Sequence, residues 1–92
     1  MAALEIAGRL VAGHHLLPEI FPLPDGGLQL EWHVFGAGVE IEVDGAGAPF
    51  GVATDAAGQA LWERDFSVAE VSALDDLRRF VAKMAHNLES AR

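Results

Sequence analysis

The sequence predicts an α+β fold: an antiparallel meander of four or five strands, with an N-terminal helix and a longer C-terminal helix packed on one face. Three observations predict it. Residues 28–34 and 39–44 alternate apolar and polar side chains with a period of two, the signature of half-buried strands. Residues 71–88 repeat apolar side chains at steps of three and four, the signature of an amphipathic helix. Between the periodic segments lie short clusters of Gly, Pro and Asp, which are turn chemistry. A chain of 92 residues suits a single domain, 1–92, with one small core.

The elements follow in order. Ala2 to Leu16 reads as a helix, with Leu4, Ala7, Leu10, Val11 and His14 recurring at helical spacing. Pro18, Pro22 and Pro24 remove three amide donors from the next stretch, so it fits an edge strand or a loop lying along the sheet, not a central strand. The run "PDGG" supplies the turn that follows. Leu28, Leu30, Trp32 and Val34 then alternate with Gln29, Glu31 and His33. After "FGAG", Val39, Ile41 and Val43 alternate with Glu40, Glu42 and Asp44. Pairing Val34 with Val39 across a four-residue loop puts both apolar sets on one face and sets His33 opposite Glu40 and Glu31 opposite Glu42. "FGVATD" and "ALWERDF" make two more strands, the last with Ala60, Trp62 and Phe66 facing in and Arg64 as the exception.

The C-terminal helix opens on "FSVAEV", which has the form of a capping box with a hydrophobic staple. In that reading Ser67 accepts from the amide of Glu70, Glu70 reaches back to the amide of Ser67, and Phe66 packs on Val71. Val71, Leu74, Leu77, Val81, Met84 and Leu88 form the apolar stripe, and Asp75 and Arg79 stand four apart as an ion pair. A helix running to about Leu88 is longer than the strands it covers, so Met84 and Leu88 are expected to project and to need a partner.

Composition narrows the function classes. The absence of cysteine excludes disulfides, zinc–thiolate sites, iron–sulfur clusters and a cysteine nucleophile. Fourteen acidic against six basic residues give a net charge of −8, which disfavours nucleic acid and favours a basic protein partner. The run "MAALEIAGRLVAG" carries Glu5 and Arg9 and has no basic leader, so neither a signal peptide nor a membrane span is expected, and the cytoplasm is the expected compartment. A 51% hydrophobic content is high for so small a body, and a homodimer is expected to cover part of it.

The strongest chemical cluster is the polar face of the central hairpin. Glu31, His33, Glu40 and Glu42, with Asp44 beyond, offer oxygen and imidazole ligands of the kind divalent cations take, and His33 among carboxylates suits a general acid or base. The simpler reading is the wet side of an antiparallel sheet. No nucleophile accompanies His33: Ser67 is a cap, and the chain has no GxSxG elbow. His14 and His15 are adjacent and so diverge on a helix, and His86 lies near a helix C-terminus where a cation is welcome. "GAGVEI" and "GAGAPFG" lie between strands and read as turns, not as a nucleotide-binding loop. Trp32 and Trp62 read as core rings rather than a ligand platform. No catalytic, cofactor or metal residue is therefore assigned, and no cofactor is expected.

The run "PEIFPLPDGGLQLEWH" followed by "VEIEVDG", roughly Pro18 to Gly45, resembles small uncharacterised bacterial proteins. Those carry a P-x-P-D-G-G turn, an L-x-L-E-W strand and an x-E-I-E-I strand. The resemblance attaches no activity, cofactor or site residue. The expected function is a non-enzymatic acidic interaction module, antitoxin- or immunity-like, with a small metal-dependent enzyme or ligand binder on the hairpin's acidic face as the alternative.

Overall fold

The computed structural model describes residues 2–11 and 16–91. The elements run α1 (Ala2–Val11), β1 (Glu19–Pro22), β2 (Leu28–Val34), β3 (Ala37–Val43), β4 (Pro49–Thr54), β5 (Ala60–Asp65) and α2 (Val71–Ser90). The five strands form one sheet in the order β1-β2-β3-β4-β5, each antiparallel to its neighbour. The fold is α+β, a meander with both helices on one face. The proline-rich segment is the edge strand β1, paired with β2 from Glu19↔Glu31 to Pro22↔Leu28.

Three of the four hairpin loops share one construction. In Leu23–Gly27, Asp44–Ala48 and Asp55–Gln59, the fourth residue donates its amide to the first carbonyl and the first residue donates to the fifth. The fourth residue is glycine each time, Gly26, Gly47 and Gly58, with φ between 82° and 89°. This is a type I turn followed by a left-handed glycine. Asp44 and Asp55 brace their loops by accepting two amides each on Oδ1, from Ala46 and Ala48 and from Ala57 and Gln59. The β2–β3 loop differs. It has two residues, Phe35 and Gly36, both with positive φ, which makes a type I′ turn.

That tight turn corrects the predicted register. Val34 pairs with Ala37, Trp32 with Val39, Leu30 with Ile41 and Glu31 with Glu40, and His33 faces Gly38. The strands are slipped by two residues relative to the four-residue loop expected from the sequence. A slip of two preserves parity, so every side chain stays on its expected face.

The core lies between the sheet and the two helices. Leu30, Trp32, Val34, Val39, Ile41 and Val43 are buried from the sheet, and Ile6, Leu10, Leu74, Leu77 and Val81 from the helices. Trp32 is 1% exposed, and its indole Nε1 donates to the Leu16 carbonyl at 3.0 Å. In β4 it is the small residues Gly51 and Ala53 that face the helices, while Phe50, Val52 and Thr54 turn to the other side. A side chain at Gly51 would meet the rings of Trp62 and Phe66 and, at the edge of contact, the Leu77 methyl, so these side chains occupy the space above it.

Both helices depart from the sequence reading in their first turns. α1 buries Ala3, Ile6 and Leu10, with Ala7 and Val11 at the margin, and leaves Leu4 62% exposed. His14 and His15 lie outside the described residues. In α2 the Ser67–Glu70 motif closes a separate turn ahead of the helix. The Ser67 amide donates to Glu70 Oε1, the Glu70 amide to the Ser67 carbonyl, and Ser67 Oγ accepts from Ala69 rather than Glu70. The helix then starts at Val71, which is 58% exposed, so the predicted staple is not made. Phe66 instead packs edge-on against Trp62. The ion pairs run three apart, Asp75–Arg78 and Asp76–Arg79, not Asp75–Arg79. Met84 is buried and Leu88 packs against the core, so the chain itself covers the end of α2 that was expected to project.

Asp25 ties two neighbouring loops together. Oδ1 accepts from the Gly27 amide and Oδ2 from the Gly45 amide, each at 2.9 Å. The approach is close enough that a side chain at Gly27 would lie 2.1 Å from the Val43 carbonyl oxygen. Gly27→Ala is therefore expected to cost about 3 kcal/mol, the upper end of overpacking, because the obstacle is backbone. Gly26→Ala meets open space and pays only for its left-handed φ, about 1–2 kcal/mol. Urea unfolding of the two variants measures the difference.

Candidate surface on the open sheet face

The face of the sheet away from the helices carries Gln29, Glu31, His33, Glu40 and Glu42 as predicted, whereas Asp44 lies past the end of β3 and braces the loop. Register places those residues in rows running across the strands. One row is Glu19, Glu31, Glu40, Val52 and Glu63. The adjacent row is Phe21, Gln29, Glu42, Phe50 and Asp65. His33 follows beyond the first row, opposite Gly38. Six carboxylates thus share one face with two phenyl rings. Among the described residues, Arg9, Arg78, Arg79 and Lys83 lie on the helices and Arg64 lies on the helix side of β5, so no arginine or lysine faces this surface.

Arg64 was the exception on the inner side of the last strand, and its partners explain it. Its guanidinium donates to Glu70 and lies 5.7 Å from the centre of the Trp62 ring. The helix side therefore accommodates one cation without burying it: no polar or charged residue is buried among the described residues.

At the centre of the acidic face are Glu31, His33 and Glu40. Glu31 and Glu40 are direct cross-strand partners. The His33 ring extends over Gly38, whose missing side chain leaves the space. With Nε2 protonated it donates to Glu31 Oε1 at 3.1 Å, and Nε2 lies 3.8 Å from Glu40 Oε1. The three ligand atoms fall within 4.8 Å of one another. Glu31 is the most enclosed, its side chain 18% exposed, while His33 and Glu40 are each 50% exposed. Glu42 belongs to the second row, beside Gln29 and Phe50, and is not part of the cluster. The predicted facing pairs His33–Glu40 and Glu31–Glu42 are replaced by His33–Gly38 and Glu31–Glu40, because of the two-residue slip.

Partial burial, then repulsion from Glu31 and a hydrogen bond shared with it, raise the Glu40 carboxyl above its ordinary value of 4.5, while the His33 ring pulls it down. In the turns the opposite holds. The amides of Gly45 and then Gly27 hold the Asp25 carboxyl below its ordinary value of 3.8. His86 is exposed on α2, away from this face.

The acidic face was legible in the sequence except for four of its members. Glu19 and Phe21 became legible only once the proline-rich segment was seen to pair with β2, and Phe50 and Val52 only once β4 was seen to bury its small residues. No protein-family model, curated protein or solved structure matches the chain.

Because the folded-state pKa of Glu40 is raised, its ionisation opposes folding. The penalty is absent below the unfolded value and sets in as pH rises through the folded one. Glu40→Gln is therefore expected to stabilise the protein at pH 7 by about 0.2–1 kcal/mol, the scale of one like-charge cross-strand pair. That corresponds to a few degrees in Tm. The gain should fade in melts as pH drops below the ordinary carboxyl value of 4.5, where Glu40 is increasingly protonated in both the folded and the unfolded chain.

Proposed function

We propose that this protein is a non-enzymatic interaction module whose open sheet face docks a basic protein partner, in the manner of an antitoxin or immunity protein. One observation carries the reading: six carboxylates are gathered on one uncovered face, while the described arginines and lysines all lie elsewhere. A face of one sign steers an oppositely charged partner and rejects like-charged ones. Phe21 and Phe50, set among the carboxylates, supply apolar anchors that a purely solvated face does not need. Among the described residues, no helix is long and apolar enough to cross a membrane.

A homodimer is the subordinate form of this reading. Its supports were the 51% hydrophobic content and the far end of the α2 stripe, and of these the chain covers Met84 and Leu88 itself. Two bodies of charge −8 also repel. Size-exclusion chromatography with light scattering at micromolar concentration is expected to give a monomer.

The test compares two variants of equal net charge against a short oligolysine probe. Glu31→Gln, Glu40→Gln and Glu42→Gln together remove three charges from the face. Glu5→Gln, Asp75→Asn and Glu89→Gln remove three from the helices. Calorimetric titration at low salt should show the face variant binding about tenfold more weakly, some 1.4 kcal/mol spread over three exposed charges. The helix variant should bind nearly as the parent does. Equal loss in both would mean that total charge alone attracts the probe, and the reading would fail.

A second reading rests on the Glu31, His33 and Glu40 cluster: a divalent cation held there for ligand binding or hydrolytic chemistry. Thermal melts with calcium, magnesium, manganese and zinc decide it. A rise of several degrees with one ion, lost in Glu40→Gln, would replace the docking proposal with this one.

A further inference from the structure

The sheet has two free edges, and they are unlike. β1 has four residues, ends at Pro22 and is flanked by Pro18 and Pro24, so few of its amides are available to another strand. β5 has six residues and no proline. Every β5 residue except Trp62 is exposed. Beside this edge, on the helix side, a furrow runs between β5 and α2. Its two adjoining hollows share Phe80 and Lys83, with Trp62 lining one and Leu61 and Met84 the other. The bulge at Ala53/Thr54, where Ala53 pairs with Trp62 and Thr54 with Ala60, leaves Leu61 as the extra residue, 56% exposed. On the other side of the same strand, Glu63 and Asp65 end the two acidic rows.

We propose that the basic partner docks as an added strand along β5. The inference rests on the docking reading above and specifies its geometry. Side chains of an added strand alternate between the two sides of the sheet. Those on the open side fall next to Glu63 and Asp65 and extend the acidic rows outward, which selects Lys or Arg. Those on the helix side fall against Trp62, Leu61 and Phe80, with Asp76, Arg79 and Lys83 at the margin, which favours apolar residues. The recognised segment is therefore extended, with basic and apolar residues alternating. A second copy of this chain fits the edge less well, because β5 against β5 brings Glu63 and Asp65 towards their own copies.

The probe is the peptide acetyl-Lys-Val-Lys-Val-Lys-Val-Lys-amide, with two analogues, one N-methylated at the valines and one at the internal lysines. Charge is the same in all three. In an added strand only alternate amides face the sheet, so one analogue should bind about tenfold more weakly and the other nearly as the parent. Amide shifts in labelled protein should map to Ala60–Asp65, Phe80 and Lys83, and the outward amides of β5 should gain protection from hydrogen exchange. Equal binding of all three peptides, with shifts confined to Glu31, Glu40 and Glu42, would overturn strand addition and leave the docking face intact. Binding of oligolysine but not of this peptide would do the same. Failure of both probes would remove the docking reading itself. Protection of the β5 amides that grows with protein concentration alone would assign the edge to a second copy and overturn the proposal.

Discussion

Everything in this molecule depends on one geometric constraint: side chains in a pleated strand alternate sides, and among the described residues only one side of this sheet is covered. Leu30, Trp32, Val39 and Ile41 satisfy the covered side beneath α1 and α2. Once they do, Glu31, His33, Glu40 and Glu42 have nowhere to go but the open side. The acidic surface is thus the complement of the core. A one-residue slip would exchange the two sets, bury four polar groups and expose Trp32, so burial holds the parity firmly.

The open face illustrates what burial does not determine. Carboxylates set directly opposite one another across strands weaken the sheet they belong to. Here Glu31 meets both Glu19 and Glu40. A solvated face has no need of such a row, because neutral polar residues would hydrate as well without the repulsion. A cationic partner relieves it, as does a cation. The distribution of basic groups sharpens the point: Arg64 is engaged by Glu70 and Trp62, and the α2 arginines by Asp75 and Asp76, all away from the sheet face.

Much of this was legible in the sequence, and the failures have physical causes. The strands and their faces followed from alternation. The β2–β3 register did not, because pairings two residues apart bury the same side chains equally well. The decision lay in Phe35, whose positive φ allows a two-residue turn without the usual Asn-Gly pair. The frame of α1 was ambiguous because most of its residues are apolar, so Leu4 and Ile6 both fit a helical stripe; packing against α2 and the sheet chose Ala3, Ile6 and Leu10. The Ser67–Glu70 motif made only the half in which Glu70 accepts the Ser67 amide and closed a turn, since that hydrogen bond serves a turn as well as a first helical turn. In β4, the Trp62 and Phe66 rings fill the space over Gly51, so the larger β4 side chains point outward, a tertiary effect that no local pattern encodes.

The division between a covered and an open face is tested most directly by the accessibility of Trp32. In a Trp62→Phe variant shown by circular dichroism to be folded, Trp32 is the sole tryptophan. Enclosed and hydrogen-bonded to Leu16, it is predicted to emit at short wavelength and to resist quenching by iodide and acrylamide until the protein unfolds. Red-shifted emission quenched as readily as free indole in the native protein would place Trp32 on the open side and contradict the assignment of both faces.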